Sequence, residues 1–413
     1  MTRRELSRSG TVIRAILPAV PSGHTEEPDR PQRPALRPDP VRCYDPFFPG
    51  SSELGVPSEL GRFRRIRPYC VNRSPSSILV VGPSWVGDMV MAQSLFQLLR
   101  QRHPGAAIDV LAPSWSEPLL ARMPEIRNAW PLPTRHGQLG LGTRLRLGRS
   151  LRAQHYGQAI VLPNSFKSAL VPFWAGIPLR SGYVGEWRWG LLNDIRRLDA
   201  KRLPTTVERF LALGLDPGAA LPVPIPVPRL AVLETGIEAA LARHGLRHAG
   251  QPILALCPGA EYGPAKRWPE EYYARIAGVY AARGWEIWLF GSERDRTVTA
   301  RVSAMSGIEC VDLAGRTTLG EAVDLLSLAR AVVSNDSGLM HVAASLGRRL
   351  IAVYGSSDPG FTPPLSSQAT VLSLGLPCSP CFKRVCPLGH TNCLRQLKPE
   401  LVQERIDAAV PQP

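Results

Sequence analysis

From Ile78 onward the chain alternates short apolar runs with amphipathic stretches: Ile78–Val81, Met89–Arg102, Ile108–Leu111, Glu117–Met123 and Ala159–Leu162. That alternation predicts a parallel α/β sheet, each short run a strand and each longer stretch a helix carrying the chain back. The pattern breaks at Leu221-Pro-Val-Pro-Ile-Pro-Val-Pro228, where alternate residues lack a backbone donor. Such a run can be neither helix nor central strand, so it is expected to link two domains. Beyond it the alternation restarts with Ile253–Cys257, a helix Glu270–Arg283 opened by Pro269, then Glu286–Phe290, Glu321–Ala329, Ala331–Ser334, Gly338–Leu346 and Leu350–Tyr354. The expectation is two Rossmann-like, doubly wound α/β domains, residues 76–220 and 229–413, joined by 221–228. Sheets of this kind bind ligands beyond the carboxyl ends of their strands, so the functional loops should face a cleft between the domains.

Residues 1–75 stand apart, with 12 of the 41 prolines, many arginines and almost no apolar periodicity. They read as a disordered extension without chemistry. A chain of 413 residues exceeds the size at which one core stops growing, in keeping with two domains. Charge adds a further constraint: 49 Lys and Arg against 34 Asp and Glu give a formal +15, which favours an anionic partner. No zinc finger, RRM-like aromatic signature or basic heptad region is present, so nucleic acid is not the expected partner. An anionic glycolipid in a membrane surface fits better. No apolar run approaches the roughly 18–20 residues that span a bilayer, and Thr11–Val20 is interrupted by Arg14. Eight cysteines, four of them crowded into Cys378–Cys393, do not form the framework of a secreted disulfide domain, so a reducing cytoplasm is the expected home.

Three strand-to-helix junctions carry residues suited to chemistry. Gly82-Pro-Ser-Trp-Val-Gly87-Asp88 mimics a phosphate-binding loop, yet such a loop needs Lys after its second glycine, and Asp88 would repel a nucleotide. A carboxylate there can instead take a proton from an attacking hydroxyl; the alternative is a plain helix cap. In Cys257-Pro-Gly-Ala-Glu-Tyr-Gly-Pro-Ala-Lys266-Arg267-Trp-Pro269, Lys266 precedes a helix whose free backbone donors favour a phosphate, although an ordinary exposed Lys-Arg pair would look the same. In Ser334-Asn-Asp-Ser-Gly-Leu-Met-His341, Asp336 or Ser337 can cap the helix, and Ser337, Gly338 and the first amides can bind a phosphate. His341 lies one turn on and can point at the same ligand, or be a core histidine. Glu293 follows another strand and can accept hydrogen bonds from ribose hydroxyls. The spacing Cys378-x2-Cys381-x4-Cys386-x6-Cys393 permits tetrahedral zinc, but its second half is irregular; reduced cysteines in a structured loop are expected, with no metal.

Taken in order, Gly82–Met89, Leu162-Pro-Asn-Ser-Phe-Lys-Ser-Ala-Leu170, Pro258–Pro269 and Asn335–Ala344 resemble the signatures of the ADP-heptose:lipopolysaccharide heptosyltransferases of glycosyltransferase family 9. The resemblance runs from Ile78 to about Ile406 and implies an inverting, metal-independent enzyme of the GT-B type that needs no cofactor. It also implies that the C-terminal domain binds ADP-heptose and the N-terminal domain a lipid A-core acceptor. On that resemblance Asp88 is the catalytic base and Lys266 meets the donor phosphates, with Glu261, Glu293, Asp336, Ser337, Gly338 and His341 completing the donor site. Ser84, Trp85, Asn164, Ser165, Lys167, Arg180 and Arg188 are the corresponding acceptor-side candidates. The Asn164–Lys167 segment favours the branch that adds a heptose to heptosyl-Kdo-lipid A over one with a different acceptor. A catalytically silent nucleotide-sugar-binding protein would need no base opposite the diphosphate site. Family members usually begin almost directly with the first strand, so residues 1–75 inherit nothing from the resemblance. Lys167, Phe173, Trp174, Arg180, Trp187, Arg188 and Trp189 fall within 23 positions and are expected to form a basic, aromatic acceptor-side surface at the cytoplasmic face of the inner membrane.

Overall fold

The computed structural model describes residues 75–134 and 137–410, so the expected extension lies outside the described residues but for Pro75. The first lobe contains β1 (Ser77–Val81), α1 (Val86–Arg102), β2 (Ala107–Pro113), α2 (Glu117–Leu120), β3 (Asn128–Leu132), α3 (Leu141–Leu151), β4 (Gln158–Val161), α4 (Leu170–Trp174), β5 (Leu179–Tyr183), β6 (Asp194–Arg196) and α5 (Thr206–Leu213). The second contains α6 (Glu234–His244), β7 (Ile253–Cys257), α7 (Glu270–Ala281), β8 (Glu286–Leu289), α8 (Arg296–Ser306), β9 (Val311–Asp312), α9 (Leu319–Leu326), β10 (Ala331–Asn335), α10 (Gly338–Ser345), β11 (Arg349–Val353), β12 (Ala369–Leu372), α11 (Asn392–Arg395) and α12 (Pro399–Ala409).

Both sheets are parallel and share one topology. The first runs β3-β2-β1-β4-β5-β6, and the second, read from its other edge, runs β9-β8-β7-β10-β11-β12. Strand order therefore reverses between β1 and β4 in one lobe and between β7 and β10 in the other, the two places where loops splay apart and leave a crevice. All five residues of β1 and of β7 are buried, as strands covered by helices on both faces must be.

No helix or strand falls within residues 214–233, which include the proline-rich run. This stretch is fastened to α1: Gln93 exchanges two hydrogen bonds with the Arg229 backbone, at 2.9 and 2.8 Å, and Gln97 donates to the Val227 carbonyl at 3.0 Å. The lobes are also joined by a buried ion pair, Arg122 Nη2 to Asp324 Oδ2 at 2.5 Å, with Arg122 donating further to the Gly320 carbonyl at 3.0 Å. Removing one partner of such a pair strands a buried charge and costs about 3–5 kcal/mol. Finally, the amino ends of α1 and α10 meet. A Cβ on Gly87 would lie 2.6 Å from the His341 ring, and one on Gly338 would lie 2.7 Å from Val86, so glycine at both positions is what allows the approach.

Candidate active site at the lobe interface

Asp88 is brought to the interface by the turn after β1. Trp85 occupies the N-cap of α1 without a side-chain cap hydrogen bond, and Asp88 lies inside the first turn. Asp88 is therefore not the N-cap residue, and as an acid of the first turn it meets the positive end of the helix dipole. Burial lifts its pKa to about 6, with Lys266 opposing and Asp336 adding to the rise.

The facing groups come from the second lobe. Lys266 ends a short 3-10 turn, Pro264–Lys266, and its Nζ donates to Asp336 Oδ2 at 2.5 Å with both side chains largely out of water. Asp336 follows β10, directly beside the β7 strand that leads to Lys266. Asn335 holds this arrangement together. Its amide donates to the Pro258 and Gly259 carbonyls at 2.7 and 3.3 Å, and its oxygen accepts from the Trp268 N–H and the Tyr273 hydroxyl, both at 3.0 Å. Ser337 sits at the N-cap of α10, but its hydroxyl pairs with Ser334 at 3.2 Å and makes no cap bond, so the first-turn amides from Gly338 onward lack a side-chain partner. Such amides form a ready site for an anion. His341 is buried against Gly87, and burial lowers its pKa to about 4, with Asp336 opposing and Lys266 assisting; it is neutral near pH 7.

On the first-lobe side a cavity of about 1360 Å³ opens beside Asp88 and is lined by Ser84, Trp85, Asn164, Ser165 and Lys167. It extends across to the second lobe at Phe361, whose carbonyl accepts from Thr206 N at 3.0 Å and whose ring lies 4.7 Å from the Arg209 guanidinium. Thr134, Arg144, Glu186, Arg209 and Phe361 also line it and were not singled out in the sequence, where no motif marks them.

Two expected acceptor residues do not line this cavity. The Arg180 guanidinium donates to the Leu191 and Ile177 carbonyls, at 2.6 and 2.5 Å, and so braces the chain between β5 and β6. Arg188 is 2% exposed and donates to Pro163 O at 2.7 Å, to Asn164 Oδ1 at 3.2 Å and to the Tyr183 carbonyl. A guanidinium held by carbonyls in this way is not free to fork onto a lipid phosphate, which corrects the expectation for both. On the donor side, Glu261 pairs with Arg294 and Glu293 with Arg296, the latter at 3.0 Å. Both glutamates follow the carboxyl ends of β7 and β8, but their carboxylates meet arginines rather than Lys266. The four clustered cysteines line one small space without pairing, and burial together with the neighbouring thiols pushes Cys393 up to about 11. Among the described residues no three His, Cys, Asp or Glu side chains are placed to hold a metal ion.

A family model for glycosyltransferase family 9 (heptosyltransferase) matches residues 144–392. This chain belongs to glycosyltransferase family 9. Within that family it is 48% identical to lipopolysaccharide heptosyltransferase 2 of Escherichia coli K12 over 340 residues, 80% of this chain and 97% of that protein. Identity falls to 26% over 360 residues against lipopolysaccharide heptosyltransferase 1 of Pseudomonas aeruginosa, 80% of this chain and 97% of that protein. A solved structure of E. coli ADP-heptose LPS heptosyltransferase II matches with a TM-score of 0.73 and 45% identity, covering 81% of this chain and 98% of that one. The family 9 chain thus has the GT-B architecture of two facing doubly wound lobes, as its residues led one to expect.

Proposed function

We propose that this enzyme transfers L-glycero-D-manno-heptose from ADP-heptose, with inversion, to the heptosyl-Kdo-lipid A inner core of lipopolysaccharide. The carrying observation is Asp88, a carboxyl raised to about 6 on the first lobe, within electrostatic reach of Lys266 and Asp336 on the second. A base with that pKa is ionised at neutral pH and still able to accept a proton. In this reading the acceptor glycan enters the cavity beside Asn164 and Lys167 and its hydroxyl attacks the anomeric carbon. Asp88 takes the proton while ADP leaves from the opposite face. Lys266 and the first-turn amides of α10 meet the charge that grows on the β-phosphate. One displacement needs one base and one stabilised leaving group, so neither metal nor cofactor is required. The second-heptose acceptor is preferred over the first because the 48% relative is a heptosyltransferase 2 and the heptosyltransferase 1 relative is far more distant.

The enzyme would work at the cytoplasmic face of the inner membrane, where its amphiphilic acceptor is held. Among the described residues no helix is long and apolar enough to cross a membrane, so contact would be peripheral. Incubating the purified protein with ADP-heptose and defined core acceptors, and weighing the products by mass spectrometry, tests the assignment. Addition of one heptose to the heptosyl-Kdo acceptor is expected; transfer only to an acceptor lacking that heptose would replace it with the first-heptose reading.

A further inference from the structure

The chain between β5 and β6 carries two of the most exposed aromatic side chains among the described residues, Trp187 at 86% and Trp189 at 64%. Rings left in water on a loop that is otherwise firmly held call for an explanation, since apolar patches at the surface of soluble proteins commonly mark interaction sites. The loop is not slack. Arg188, between the two rings, points inward and ties the segment to Pro163, Asn164 and Tyr183. Glu186 N donates to the Asn164 carbonyl at 3.1 Å, Phe166 N donates to the Glu186 carboxylate at 3.1 Å, and a Cβ on Gly185 would collide with the Asn164 backbone. Trp187 is held at φ 29°, a left-handed conformation that a bulky residue rarely adopts, and it turns the ring outward.

We propose that residues 184–190 form a membrane-docking loop, with the rings of Trp187 and Trp189 seated in the headgroup region of an anionic bilayer. Three observations select that occupant. Tryptophan combines an apolar body with one polar edge and is the residue type enriched at the membrane–water boundary. The lobe that bears the loop carries most of the chain's charge excess: residues 75–220 hold 17 Lys and Arg against nine Asp and Glu, while residues 221–410 hold 19 against 17. A cationic lobe and interfacial rings together give the two signals that stable peripheral attachment needs. The loop also borders the cavity, which Tyr183 and Glu186 line, so docking would present a lipid-borne glycan at the mouth that leads to Asp88. The proposal rests on the heptosyltransferase reading only for the identity of that glycan.

The test uses the full chain and its W187A/W189A double variant. Flotation with vesicles of phosphatidylglycerol and phosphatidylcholine should show binding of the wild type that weakens roughly tenfold or more in the variant, from lost apolar contact of two rings. Heptose transfer to acceptor embedded in those vesicles should fall in parallel. Transfer to a deacylated, lipid-free acceptor and the melting temperature should not change. Equal vesicle binding by both proteins overturns the proposal, as does an equal loss on the lipid-free acceptor, which would make the rings a glycan platform. A wild-type dimer that the variant dissolves, with vesicle binding unaffected, assigns the face to a second copy of the chain and overturns it too. If no heptose is transferred at all but flotation still depends on the two tryptophans, the docking proposal stands and the substrate assignment fails.

Discussion

The two lobes share a strand order and differ in almost everything the order presents. At the reversal point of the first sheet, the turn after β1 places an acidic side chain inside a helix that has no side-chain cap, beside an open cavity. At the reversal point of the second, the loops after β7 and β10 are drawn together by Asn335 around the Lys266–Asp336 pair, and the amino end of α10 is left free of a side-chain cap. The first lobe is strongly cationic and the second nearly balanced. Topology thus fixes where a ligand can sit, while the residues at each turn decide which ligand, so function must be argued lobe by lobe.

The largest expected effect comes from removing the acid on the first lobe. Asp88→Asn keeps size and shape, so loss of the base should lower kcat roughly 10²–10⁴-fold with ADP-heptose affinity near wild type. Because the fold disfavours the ionised carboxylate, the substitution should leave the melting temperature equal or higher at pH 7. An active Asp88→Asn enzyme ends the base assignment. The same contrast on the second lobe is smaller: Lys266→Ala should cost on the order of 1.5–3 kcal/mol in kcat/KM through a lost charge-assisted contact. Unchanged donor kinetics for that variant would remove Lys266 from the phosphate site.

Next come the two arginines that the fold turned inward. Arg188→Ala frees the Pro163–Asn164 loop and should raise the acceptor KM while lowering stability by about 1–3 kcal/mol, as stranded carbonyls lose their donor. Arg180→Ala should lower stability and leave the acceptor KM alone; a rise equal to that of Arg188→Ala would restore it to the acceptor site. The smallest effect is on the pH dependence of stability. Asp88, raised to about 6 from 3.8, binds its proton more tightly when folded, so stability increases as pH falls through that window. His341, lowered to about 4 from 6.5, does the reverse, and stability is lost as pH falls between those values. The two act in opposite directions in the wild type. In Asp88→Asn the His341 slope should stand exposed, with the melting temperature falling more steeply between pH 6.5 and 4, while wild-type turnover declines below about pH 6.

Most of the architecture was legible because parallel strands covered on both faces are uniformly apolar: Ile253–Cys257 and Ala331–Ser334 needed nothing beyond their composition. β3, with the sequence Asn-Ala-Trp-Pro-Leu and partly exposed, carried no such signal. The strand-end positions of the motif residues Asp88, Lys266 and Asp336 were legible because the turn after a strand leaves them little choice. The arginines were not, since the same guanidinium serves a lipid phosphate or a set of backbone carbonyls equally well, and only the path of residues 177–193 decides between them. Asn335 stood within a recognised motif, yet its four hydrogen bonds to the loop before α7 and to Tyr273 on that helix could not be read from spacing.

The absence of side chains at Gly87 and Gly338 has a thermodynamic consequence. Because these two positions let α1 and α10 touch, a shift of the helix that bears Asp88 should press directly on the helix that bears His341. A ligand that repositions one helix on binding should then change the affinity for a ligand held at the other, and by the same factor in both directions. The two substrates of this enzyme should therefore sense each other's presence through a contact in which neither takes part.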